Sequence, residues 1–320
     1  MGLRKSYIEV DRSQAEILST PLHDLYAVEV KPPRSDVPAA VEEFIRGLLE
    51  IQSTLLGTKN ASPIVTYELQ RPSPDRLLLQ FLVPTKRMER KVRTQLSNQV
   101  PGVGFEEGET RLPVKPGDSI GGGYLTTGRK DCFPLRTNFD SPPINSLVAA
   151  LHRHAMTDTK VVVQITFQPV AGEPLKETWR KRRGYQTVGF LLKEKEKLWG
   201  SRSPTPRERN QADAVERKMG QRRYWVSIRF AVINAGEYTP GRIKELAGAF
   251  NVFENPDTGQ YLDMVTLRSI RRKRFQEHFK AVKSRRFKGY SLRFQASTEE
   301  LAALVSIPDR GQENLRKSSP

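Results

Sequence analysis

Cysteine occurs once in 320 residues, at Cys132, and histidine four times. A single thiol excludes an intramolecular disulfide framework and suits a reducing compartment, where Cys132 is expected to be a small buried hydrophobe. So few soft ligands also argue against a zinc site. His152 and His154, two apart on a predicted helix, diverge by about 200° and cannot easily share a metal. Long apolar runs are missing too: none nears the ~18 residues that span a bilayer, and no apolar signal core follows the N-terminus. Hydrophobic residues make up 37% of the chain and mean hydropathy is −0.56. These absences point to a cytoplasmic protein, at most peripheral to the cytoplasmic membrane.

Catalytic constellations are lacking as well. "GYLTTGRK" (residues 123–130) has the outline of a phosphate loop, but Arg129 displaces the lysine by one position, to Lys130, and Asp131 then follows it in place of the hydroxyl that would hold Mg²⁺. "KGYSLRFQ" (residues 288–295) matches an RNA-binding RNP1 strand at Lys288, Gly289 and Tyr290, then departs from it at Ser291 and Leu292. Carboxylates are plentiful but show no recognisable pairing. No catalytic residue, metal or cofactor is expected.

What is present in excess is positive charge, and it is segregated. The net charge is +17. Residues 172–223 hold 15 lysines and arginines against seven acids, and residues 268–293 hold 11 against one, while the remainder is nearly neutral. Two basic segments on a balanced body suggest a surface for phosphate, whether of nucleic acid or of anionic lipid. In the first segment the candidates are Arg180, Lys181, Arg182 and Arg183. In the second, a predicted helix over residues 270–287 aligns Phe275, Phe279 and Val282 as an apolar stripe. Arg271, Arg272, Lys273, Arg274, Lys283, Arg285 and Arg286 surround that stripe and are expected to meet phosphate without reading sequence.

Hydrophobic periodicity predicts an α+β fold of two ferredoxin-like (βαββαβ) units in tandem. Residues 1–22 form an N-terminal extension and residues 23–112 the first unit. There "DLYAVEV", "SPIVTYELQ", "RLLLQFLVP" and "VGFEEGE" are strands, and residues 41–56 and 86–99 are helices. A Gly-rich joint over 113–129 leads to the second unit, 130–270. Its strands are "KDCFPLRT", "KVVVQITFQPV", "RYWVSIRFAVI" and "YLDMVTLRSI", and its helices follow Ser141–Pro142 and Thr239–Pro240. A basic helical insertion at about 172–222 either projects as a contact element or folds back as cover; Trp179 and Trp199 serve either use. Residues 271–309 carry the basic helix and a short helix with a capping box, Ser297 with Glu300, stopped by Pro308. Residues 310–320 are a polar tail.

Several landmarks, taken in order, resemble the region that precedes the motor in conjugation-type type IV secretion ATPases of the HerA/FtsK superfamily. They are "YAVEVKPPRSDVPAAVEEFIRGLLEIQ", "LLLQFLVPTKRMERKVRTQLSNQVPGVGFEE", "CFPLRTNFDSPPINSLVAALHR", "KVVVQITFQPV" with Gln164, Pro169 and Trp179, and "STEELAALVSIPD". The resemblance implies a non-catalytic docking or accessory module for a DNA-translocating P-loop motor on another chain or on a missing C-terminal part, oligomeric when the motor is present. No Walker A lysine, Walker B strand or arginine finger is present to carry ATPase activity. In that reading Trp179, Trp199, Glu300, Leu301 and Leu304 are docking residues, and DNA or an anionic membrane surface meets the basic segments. The rival expectation is a stand-alone, sequence-independent nucleic-acid-binding protein.

Overall fold

Val65, Tyr67 and Leu69 alternate with Thr66, Glu68 and Gln70 along one long strand of a computed structural model of the protein. The structure describes residues 5–35, 37–48, 50–54, 57–152, 158–171, 174–196, 201–287, 293–309 and 315. In chain order the elements begin with β1 (Tyr7–Glu9), α1 (Arg12–Ser19), β2 (Tyr26–Lys31) and α2 (Glu42–Gly47). A small hairpin, β3 (Ile51–Thr54) and β4 (Gly57–Asn60), leads to β5 (Val65–Ser73), β6 (Arg76–Val83), α3 (Lys86–Gln99) and β7 (Gly104–Glu107). The second half holds β8 (Ser119–Thr127), α4 (Asn145–Leu151) and β9 (Lys160–Pro169). Then come α5 (Pro174–Leu192), β10 (Lys195–Glu196), β11 (Ser201–Arg202) and α6 (Pro206–Gly220). The chain continues with β12 (Arg223–Ile233), α7 (Thr239–Gly248), β13 (Leu262–Thr266), α8 (Arg272–Ser284), β14 (Phe294–Ser297) and α9 (Thr298–Leu304).

Ten strands form one antiparallel sheet in the order β1-β8-β12-β9-β5-β6-β2-β7, with β13 also beside β8 and β14 beside β12. The fold is α+β. Within the sheet, β5-β6-β2-β7 and β9-β12-β8-β13 each place second, third, first and fourth strands side by side. The two halves join through β5 and β9, where Thr66 faces Thr166 and Glu68 faces Gln164. The Thr66 and Thr166 hydroxyls lie 3.0 Å apart across that seam.

Several expectations shift. The predicted helix over 41–56 is only six residues long, because the chain turns into the β3–β4 hairpin. "KDCFPLRT" forms no strand; Ser119–Thr127 takes the first position of the second half. The glycine run inside it is therefore not a joint. A Cβ on Gly122 would lie 2.7 Å from His278 Nε2, and one on Gly121 2.3 Å from Thr239 Cγ2. Glycine is required there because helices press on both faces of β8. The described part of the N-terminal extension, residues 5–22, is integrated too: β1 pairs with β8, and Asp11 caps α1, accepting from the Gln14 amide at 2.8 Å.

One face of the sheet carries the larger core, with Phe44 and Ile45 of α2, Val92 of α3, Leu147 of α4, Ile243 of α7 and Leu301 of α9. The other face is covered by α1 and α8 through Ala15, Leu18, Phe275, Phe279 and Val282. A third cluster docks the insertion: Ala212, Val215 and Met219 of α6 pack with Leu191 of α5 and with Cys132 and Phe133. At Gly184 an added Cβ would lie 2.3 Å from Met219 Sδ, so α5 and α6 cross closely. The insertion therefore covers the body through α6, and Thr205 with Glu208 starts that helix in a capping box. Cys132 is buried, as expected. No helix among the described residues is long and apolar enough to cross a membrane.

Candidate anionic interface

The polar positions of β5, β9 and β12 look solvent-facing in sequence, yet α8 buries them. Thr66, Glu68, Gln164, Thr166, Ser227 and Arg229 are all fully buried. Burying charge costs several kcal/mol per ion unless it is paired and hydrogen-bonded, and here the pairing is dense. Arg285 Nε donates to Glu68 Oε2 at 3.1 Å and Nη2 to Oε1 at 3.2 Å. Gln80 and Gln164 donate to the same carboxylate at 2.8 and 2.7 Å. Arg285 Nη1 also reaches the carbonyls of Thr110 and Lys283, at 2.6 and 2.9 Å.

These groups also close the C-terminal end of α8, where helix carbonyls lack intrahelical partners. Gln164 donates to Val282 O at 2.9 Å, Thr66 to Arg285 O at 3.2 Å, and Arg229 to Arg286 O at 2.8 Å. Arg285 adopts the left-handed conformation, φ 51°, which ends the helix and turns its side chain into the sheet. Burial and the neighbouring Arg285 cation lower the Arg229 pKa to about 9, with Glu68 opposing, so the guanidinium stays charged at neutral pH. His278, fully buried, is lowered to about 4 by desolvation. Its Nε2 lies 3.0 Å from the carbonyl of Phe230, so a neutral ring protonated at Nε2 is the state that fits.

The N-terminal end of α8 is the opposite. Arg271 is the N-cap, with no side-chain cap, and no acid lies in the first turn. Arg271, Arg272, Lys273 and Arg274 are all exposed there. Helix N-termini carry partial positive charge from free N–H groups and favour acids. Four consecutive cations therefore work against the helix and with any anion that approaches it.

The predicted residues thus divide. Arg271, Arg272, Lys273 and Arg274 form one exposed cluster. Arg285 belongs to the buried network and does not face phosphate, because Glu68 holds it. Lys283 donates to Leu18 O at 3.0 Å and to Thr20 O, closing the end of α1, and its partial burial and the Arg285 charge lower its pKa to about 8. Arg286 pairs with Asp24 at 3.1 Å on the surface. Lys181, Arg182 and Arg183 are exposed on α5. The side chains of Trp179 and Arg180, together with Trp199, His154 and residues 288–292, lie outside the described residues.

Glu300, Leu301 and Leu304 offer no docking surface: all three are fully buried. The Glu300 carboxylate accepts from Ser297 N and Leu135 N, both at 2.6 Å, and from Lys218 of α6 at 2.8 Å. The capping box that marks this helix in the sequence also fastens it to the insertion. Sequence reasoning missed Glu68, Arg229 and His278, and singled out Gln164 only as a landmark of the resemblance. The available signal was Thr66-Glu68-Gln70 and Gln164-Thr166 on one side of strands whose other side carries Val65, Tyr67 and Leu69 or Val161, Val163, Ile165 and Phe167.

Among the described residues no group of three His, Cys, Asp or Glu side chains could hold a metal ion. No curated protein matches the chain. The sequence model of the family described as Domain of unknown function (DUF8128) matches residues 2–320, nearly the whole length, and the chain belongs to that family.

Proposed function

We propose that the chain is a non-catalytic module of a DNA-translocating machine of the type IV secretion kind, holding phosphate backbone against the N-terminal end of α8. The observation that carries this reading is the exposed run Arg271, Arg272, Lys273 and Arg274 at an uncapped helix start without acids. Polyphosphate placed there would gain both from the side chains and from the helix N–H groups. Two ferredoxin-like units in tandem are the architecture we infer beneath it, supported by the repeated second-third-first-fourth strand order. In this reading the module works in the cytoplasm, and a P-loop motor, on another polypeptide or on a further C-terminal part of this one, supplies the ATPase.

The purified chain should hydrolyse no ATP and should bind duplex DNA of arbitrary sequence with steep salt dependence. Four phosphate contacts imply a loss of roughly 100-fold between 50 and 200 mM salt. Replacing all four cations by glutamine should abolish most of that binding and flatten the salt slope. Unchanged affinity in the quadruple variant would sink the proposal. A stand-alone nucleic-acid-binding protein is the second reading, favoured because these four cations need no motor to act. Affinity for DNA that a P-loop partner does not alter would select it.

A further inference from the structure

Away from α8, a cavity of about 730 Å³ opens between α5 and the sheet where β12 and β14 begin. It lies in the size range of pockets that take small molecules. Its walls come from separate elements. Lys130 enters from the loop after β8, Arg183 and Phe190 from α5, Arg223 and Trp225 from β12, and Arg293 from the start of β14. Arg183 and Phe190 are seven apart and share a helix face, while Arg223 and Trp225 are two apart and share a sheet face. Among the described residues the wall carries one carboxylate, Asp131, against four cations. Two aromatic rings stand among those charges. The Arg293 guanidinium lies over Trp225, 4.2 Å from the ring centroid, and Phe190 is 67% exposed. The two basic segments of the sequence, far apart along the chain, thus meet here through Arg183 and Arg293.

We propose that this cavity is a nucleotide site, in which a base stacks on the aromatic and guanidinium planes and its phosphate meets the arginines. Phosphate alone would use only the charges; the added Trp225, Phe190 and stacked Arg293 give it a face for an unsaturated ring. A duplex cannot use such a face, because its bases are already stacked on each other. The ligand is therefore a free nucleotide or an unpaired strand. The site deepens the nucleic-acid reading above but does not use the α8 cluster.

The test uses the full chain with a labelled twelve-residue oligo(dT), the same strand annealed to oligo(dA), and 5′-AMP as competitor. Wild type should prefer the single strand to the duplex by tenfold or more. Arg293→Gln and Trp225→Leu should each remove that preference, with circular dichroism showing an intact fold, while duplex binding stays as in wild type. Arg293 is exposed, so its variant keeps the test open where Trp225→Leu fails to fold. Displacement of the strand by 5′-AMP identifies a free-nucleotide site, and displacement by oligo(dT) alone a polynucleotide site; both support the inference. A single-strand preference that survives Arg293→Gln, or no preference in wild type, overturns it. If the groove variants are silent and the α8 quadruple variant loses duplex, this inference falls and the α8 reading stands. The reverse pattern overturns the α8 reading and keeps the groove.

Discussion

The two ends of α8 are built from the same residue types and do opposite things. At its start, four cations face solvent against the sense of the helix dipole. At its finish, Arg285 is buried on Glu68 and Lys283 and Arg286 are tied to α1 and to Asp24. A basic run in a sequence is thus not one feature: position along the helix decides whether a guanidinium offers itself to a partner or holds the protein together.

The sharpest way to break that comparison is to remove a charge from each end. Glu68→Gln leaves Arg285 buried without its counter-ion and should destabilise the fold by about 3–5 kcal/mol, read from the urea midpoint. A second expectation concerns His278. Between pH 6.5 and about 4 the unfolded chain binds a proton on this imidazole and the folded chain does not, so stability falls as the solution is acidified through that window. The loss from this group is about 3 kcal/mol, and His278→Gln should flatten the acid limb of a stability–pH profile. The smallest effect has the opposite sign. Replacing Arg271, Arg272 or Lys273 singly by glutamine should raise stability by about 0.3–1 kcal/mol at low salt, fading as salt is added. A destabilisation there would mean the cations serve the fold, and the contrast between the two ends would vanish.

Much of the strand and helix order was legible, because β9, β12 and α3 each carry one clean apolar face and their bounds follow from periodicity alone. The first strand of the second half was not. Its Ile120-Gly-Gly-Gly-Tyr124 core reads as a flexible joint, since what makes it a strand is the close approach of α7 and α8, which no local signal reports. The capping box of α9 was legible as a helix start, but its carboxylate's second role with Lys218 depends on a residue 82 positions away. Likewise, Thr66 and Glu68 have the pattern of an exposed sheet face. Only a helix arriving from far along the chain turns that face into an interior.

The separation of Glu68 from Arg285 has a consequence for biogenesis. The two are 217 residues apart, an interval that takes a ribosome roughly 10–40 s to synthesise at ordinary rates. Throughout that delay the nascent first half can close its apolar layer, but its carboxylate-bearing surface must remain hydrated. Closure of this face therefore waits until Arg285 has been made, and a pause or truncation before that point would leave an open, half-wet platform for chaperones to hold.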